Sequence, residues 1–151
     1  MTGIKTKIGT TILRSEKEAV RELYDNIYQP DMEAVLFFCS TTYYNLTILG
    51  DILKDTFPCT LIGCTTAGEI SPKGYQEGGI VAASISSREL KLHHYLISPL
   101  KDFGNLEARR LADSIKGKLR FSDGFDRKKM FLFLMIDGLS GLEEKVVSCL
   151  Y

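Results

Sequence analysis

The unbroken apolar run from Ala34 to Cys39 constrains the fold more than any other stretch of the chain. Runs of this kind belong to strands buried on both faces, as in parallel sheets. A polar segment, Ser40-Thr41-Thr42, follows it. Leu46, Leu49, Ile52 and Leu53 then recur at helical spacing, closed by Phe57-Pro58. Thr60 to Cys64 reads as the next strand. Strand, helix and strand make a βαβ unit, and such crossovers are right-handed. A chain built around that unit is an α/β domain with helices packed on its sheet.

The remaining segments extend the pattern. Ile4 to Leu13 reads as a first strand, and Ser15-Glu16-Lys17-Glu18 has the form of a capping box. Ala19, Val20, Leu23, Ile27 and Tyr28 give the helix behind it, which Pro30 and Asp31 end. Ser71-Pro72-Lys73-Gly74 and Gly78-Gly79 are turn signals. Ile80 to Ile85 and Leu90 to Ile97, joined by Ser86-Ser87-Arg88-Glu89, suggest an antiparallel hairpin. Ala108, Leu111, Ala112, Ile115 and Leu119 form a helical stripe, and Ser122-Asp123-Gly124 a loop. Met130 to Ile136 reads as a central strand, and a final helix runs to Tyr151. The expected order is β-α-β-α-β-β-β-α-β-α, a mixed, mostly parallel sheet with helices on it and one antiparallel hairpin. Its 151 residues fit a single domain. The last helical pattern shows no stop signal, and Val146, Val147 and Leu150 still need a surface to cover. The chain therefore reads as one part of a larger architecture.

Charge narrows the range of partners. Lys plus Arg (19) equals Asp plus Glu (19), so no long-range field draws in nucleic acid or an anionic membrane. The basic cluster Arg127-Lys128-Lys129 reads as a solvated turn. The longest apolar run, Met130 to Ile136, falls far short of the roughly 20 residues that span a bilayer. The start of the chain has no apolar signal core. The four cysteines, Cys39, Cys59, Cys64 and Cys149, match no C-x-x-C or zinc spacing. Cys39 and Cys149 read as small buried hydrophobes. The expectation is a cytoplasmic protein with reduced thiols.

In open α/β sheets, ligands bind beyond the carboxyl ends of strands. Three such ends carry small polar residues: Ser40-Thr41-Thr42 after Cys39, the stretch Gly63 to Glu69, and Asp137 to Ser140. Glu69 is the only charge between Asp55 and Lys73. One reading makes it the charged anchor of a pocket, for instance for an amine. The other makes the stretch a bulge and sharp turn, with threonines satisfying local backbone. The residues alone leave both open.

Catalytic readings find less support. Cys64 at a strand end could be a nucleophile if its pKa were lowered. The only histidines are the neighbours His93 and His94, and nothing places either beside it. On a strand His94 would face the core with Leu90, Leu92 and Leu96, and His93 would face outward. Gly138-Leu139-Ser140-Gly141-Leu142 lacks the last glycine of a nucleophile elbow, so Ser140 reads as a helix N-cap. Gly63 to Gly68 has neither P-loop nor dinucleotide-binding spacing.

The block Leu61-Ile62-Gly63-Cys64-Thr65-Thr66-Ala67-Gly68-Glu69-Ile70, followed by Gly74-Tyr75-Gln76-Glu77-Gly78-Gly79-Ile80-Val81, resembles the signature of the FIST N-terminal domain. The segments 35–40 and 130–140 sit where that family has comparable elements. The resemblance implies a sensory, ligand-binding module of signalling proteins, with small molecules such as amino acids as ligands. It implies a C-terminal FIST-type domain or a signalling output domain as partner. No cofactor is expected, with haem a lesser alternative because some members look like gas sensors. On this reading Ser40, Thr41, Thr42, Gly63, Cys64, Thr65, Thr66, Gly68, Glu69 and Asp137 line the site. The runner-up is a cysteine- or threonine-dependent enzyme using Cys64.

Overall fold

The computed structural model describes residues 3–120 and 127–150, excluding the side chains of Leu119, Arg120 and Arg127. Those residues fall into two compact units, Met1–His94 and Tyr95–Tyr151.

The first unit is α/β. Its elements are β1 (Lys5–Thr11), α1 (Glu16–Ile27), β2 (Met32–Ser40), α2 (Leu46–Thr56), β3 (Thr60–Thr66), β4 (Glu69–Ser71), β5 (Gly74–Gln76) and β6 (Ile80–Ser86). Four strands form one sheet in the order β1-β6-β2-β3. The βαβ unit is present, with β2 and β3 parallel and Ser40 opposite Thr66. The sheet is mixed as expected, but the β1–β6 and β6–β2 pairs are antiparallel, so parallel pairing is the minority.

Both helices begin where their caps dictate. Ser15 Oγ accepts a hydrogen bond from the Glu18 N–H, and Asn45 Oδ1 accepts from the N–H groups of Thr47 and Ile48. α1 and α2 bury Ala19, Val20, Leu23, Ile27, Leu49 and Leu53 against Val35, Cys39, Ile80 and Ala82 of the sheet. Gly9 allows this contact to close, since a Cβ there would meet Ile27 at 2.7 Å. The alternation of β2 and β6 leaves Phe38 and Val81 on the opposite face.

The antiparallel hairpin is formed by β4 and β5, not by the segments around residue 88. The turn at Ser71-Pro72-Lys73-Gly74 lies at its tip, where Gly74 takes a φ of +105°. Ser71 Oγ accepts from the Lys73 N–H and donates to the Gly74 carbonyl. Leu90 to Ile97 forms no strand. Its backbone is diverted: Ser87 Oγ accepts from the Glu89 and Leu90 N–H groups, and Glu33 from Leu92 N–H. Local side-chain bonds of this kind compete with a ladder. Strand alternation therefore does not apply there, and His94 is exposed with His93, not core-facing.

The second unit contains a 3₁₀ turn (Leu100–Asp102), α3 (Asn105–Arg120), a 3₁₀ turn (Arg127–Lys129) and α4 (Glu143–Leu150). Phe103, Ala108 and Val146 form its core, with Leu134, Ile136 and Cys149 packed against it. Cys149 is half-buried, less than its helical pattern suggests. Lys128 and Lys129 are exposed, as a solvated turn requires. Met130 to Ile136 forms no strand, and Phe131, Leu132 and Phe133 are 78%, 65% and 60% exposed. An apolar run shows that a strand could be buried, but not that a neighbour exists to pair with it. The expected loop at Ser122-Asp123-Gly124 and the helix end at Tyr151 lie outside the described residues. Among the described residues, no helix is long and apolar enough to cross a membrane.

Candidate functional site

The parallel register of β2 and β3 brings two of the three expected strand ends together. Ser40 lies opposite Thr66, and the Ser40 N–H donates to the Gly79 carbonyl at 3.1 Å. Ser40 is buried, and its Oγ accepts from the Thr42 N–H, shaping the turn that leaves Thr41 and Thr42 exposed. The polar composition of this loop thus serves first to end the strand.

Glu69 is the centre of the cluster. It is 2% exposed, a carboxylate taken almost wholly out of water. Thr66 Oγ1 donates to Oε1 at 2.8 Å, and the Gly79 N–H donates to Oε2 at 3.3 Å. A carboxylate offers about four lone-pair positions, so roughly two remain. No salt bridge reaches it among the described residues. Gln76 faces Glu69 across the β4–β5 pair; its Oε1 accepts from Thr10 Oγ1, and its buried Nε2 has no partner.

A cleft of about 240 Å³ opens beside this carboxylate, lined by Phe38, Thr66, Gly68, Glu69, Ile70 and Val81. Phe38, Ile70 and Val81 are its apolar walls, and Glu69 is the one acid among these lining residues. Thr66, Gly68 and Glu69, all expected site residues, meet here. Gly68 fits under the Tyr75 ring, which a Cβ would approach to 2.5 Å.

Other expected residues are not among those that line the cleft. Gly63 carries the Phe37 ring, 2.7 Å from where its Cβ would sit, so that glycine serves packing within the sheet. Thr65 lies opposite Cys39, on the face that Cys39 turns toward the helices. Cys64 is beside Phe38 and largely exposed, and the partial desolvation of its sulfur pushes the thiol pKa up. That direction is opposite to what a nucleophile needs. Neither histidine lines this cleft. Asp137 belongs to the second unit, where its Oδ1 accepts from the Leu139 N–H and its carbonyl from Ser140. Ser140 Oγ accepts from the Leu142 N–H, a turn ahead of α4; the Leu142 carbonyl, not Ser140, receives the first helical bond. Among the described residues, no group of three or more His, Cys, Asp or Glu could hold a metal ion.

Sequence reasoning missed the outer side of this cluster. Arg14 lies 3.5 Å over the Tyr43 ring and donates to the Gly78 carbonyl. Tyr44 is buried and its hydroxyl donates to the Leu13 carbonyl at 2.7 Å. Burial pushes the Tyr44 pKa up, while the Arg14 guanidinium pulls the other way. The Asn45 N–H donates to Glu16 and holds its carboxyl below the usual range. Arg14 and Tyr43 sit in separate turns far apart in sequence, so no local pattern joins them.

The family model described as FIST N domain matches residues 33–151, most of the chain. None of the curated proteins compared with the chain matches it.

Proposed function

The chain belongs to the FIST N domain family, a family of signalling sensors, and from that premise we propose that it binds an amine-bearing small molecule at Glu69. An amino acid or a related metabolite is the ligand class. The observation that carries this reading is the buried Glu69 carboxylate, with lone pairs to spare and no ion pair among the described residues, at the edge of an apolar cleft. A buried charge without a direct ion-pair partner is costly, and a ligand ammonium would supply one. Thr66 and Gly68 complete the wall, and the Ser40-Thr41-Thr42 turn lies at the same strand end.

The same residues also hold the turn together, so Glu69 has a structural role alongside the binding one. Binding would favour one arrangement of that turn and pass the change to a C-terminal FIST-type or output domain, with a coupling of typically ~1–3 kcal/mol. A thermal-shift screen with amino acids and primary amines tests the reading. A compound at 100 times its Kd adds about 2.7 kcal/mol. Glu69→Gln keeps the shape of the side chain while removing the charge, and should abolish the shift.

A further inference from the structure

The Gly78 carbonyl and the Gly79 N–H belong to one planar trans peptide group, so they point to opposite sides of the chain. On one side the Arg14 guanidinium donates to the carbonyl; on the other the N–H donates to Glu69 Oε2 at 3.3 Å. A cation at the oxygen and a carboxylate at the N–H polarise the peptide in the same sense. Each bond therefore strengthens the other.

The surroundings are shaped around this peptide. Gly78 has a φ of +76°, and a Cβ there would overlap the Tyr43 ring and come within 3.0 Å of Arg14 Nη1. A Cβ at Gly79 would lie 2.5 Å from the Thr11 carbonyl oxygen and 2.6 Å from Gln76 Nε2. Only glycine at both positions lets the guanidinium and carboxylate close on the group from either side. The Tyr43 ring supports the guanidinium from one face.

We propose that Arg14 is a positioning residue for Glu69, acting through the Gly78–Gly79 peptide. Its position precedes the residues that the family model matches, 33–151. Its meaning for binding rests on the amine reading above; the coupling itself does not. With the peptide held by Arg14, its N–H fixes one carboxylate oxygen and leaves the remaining lone pairs oriented for a ligand ammonium.

A double-mutant cycle on the full chain, read by urea unfolding, tests the coupling with Arg14→Gln, Glu69→Gln and the double variant. The unfolding constant of the double variant should fall short of the product expected from the single ones by about fivefold or more. Agreement with that product within about twofold overturns the proposal. Should Glu69→Gln fail to fold, the Gly79 amide signal in Arg14→Gln decides. Its hydrogen exchange should speed up about tenfold, as loss of a charge-assisted bond implies, and Arg14→Lys should restore part of the protection. An unchanged Gly79 amide in folded Arg14→Gln overturns the proposal as well. Phenethylamine titrated into wild type and Arg14→Gln should bind the variant about tenfold more weakly. If wild type takes up no phenethylamine, the amine reading suffers while the cycle still judges the relay.

Discussion

Two apolar runs that look alike in the sequence end differently. Ala34 to Cys39 lies within β2, paired on both sides, with Val35 wholly buried. Met130 to Ile136 makes no strand, and Phe131 is 78% exposed. The difference lies in the backbone, not in hydrophobicity. β2 has β3 and β6 to accept and donate to its peptide groups, whereas no ladder is formed along the second run.

That comparison can be tested by its consequences for stability. Leu23→Ala empties a fully buried position under the sheet and should cost about 2–5 kcal/mol. Val146→Ala, at the centre of the smaller core, should cost about 1–2 kcal/mol. Urea unfolding of both variants checks the order, and a larger loss at Val146 would break the comparison. Hydrogen exchange sharpens it: amides of β2 and β6 should exchange only through global opening, those of residues 131–136 much sooner. Equal protection in the two would contradict the contrast.

Within the first unit the glycines divide in the same way. Gly79→Ala pushes a methyl against the Thr11 carbonyl, which is strand backbone, and should cost about 1–3 kcal/mol. Gly68→Ala meets only the exposed Tyr75 side chain, which can move, and should cost less than about 1 kcal/mol by the same measurement.

A further effect concerns alkaline pH. Burial, followed by the nearby Glu69 and Cys64 charges, pushes the Cys39 pKa from 9.0 to about 11. Between those values the folded chain holds a proton that the unfolded chain has lost. Its contribution to stability is complete below pH 9.0 and is lost as the pH rises toward about 11. Cys39→Ala should therefore lose less stability than wild type between pH 9.0 and 11. Parallel alkaline limbs in the two would remove Cys39 as a cause.

Much of the first unit was legible. The Ser15 cap, the helical stripes and the parallel β2–β3 pair all follow from local pattern and a general rule of handedness. The hairpin was displaced because Glu69 to Gln76 holds turn residues and no apolar alternation, while Leu90 to Ile97 alternates without a partner. The candidate site was legible as a neighbourhood only. Ser40, Thr66 and Glu69 converge because strand ends converge. Gly63 and Thr65 are drawn elsewhere because alternate strand residues face opposite sides. Arg14 could not be found because its partner is a peptide group 64 residues away, which no side-chain motif records.

The amine reading predicts that the Glu69 charge decides recognition. Calorimetric titration of the full chain and Glu69→Gln against the strongest amine from the screen is the direct measurement. Saturable binding to wild type, lost in a Glu69→Gln variant that still unfolds cooperatively, is the predicted result. Equal affinity in both proteins would contradict it and leave Glu69 as the residue that holds the turn.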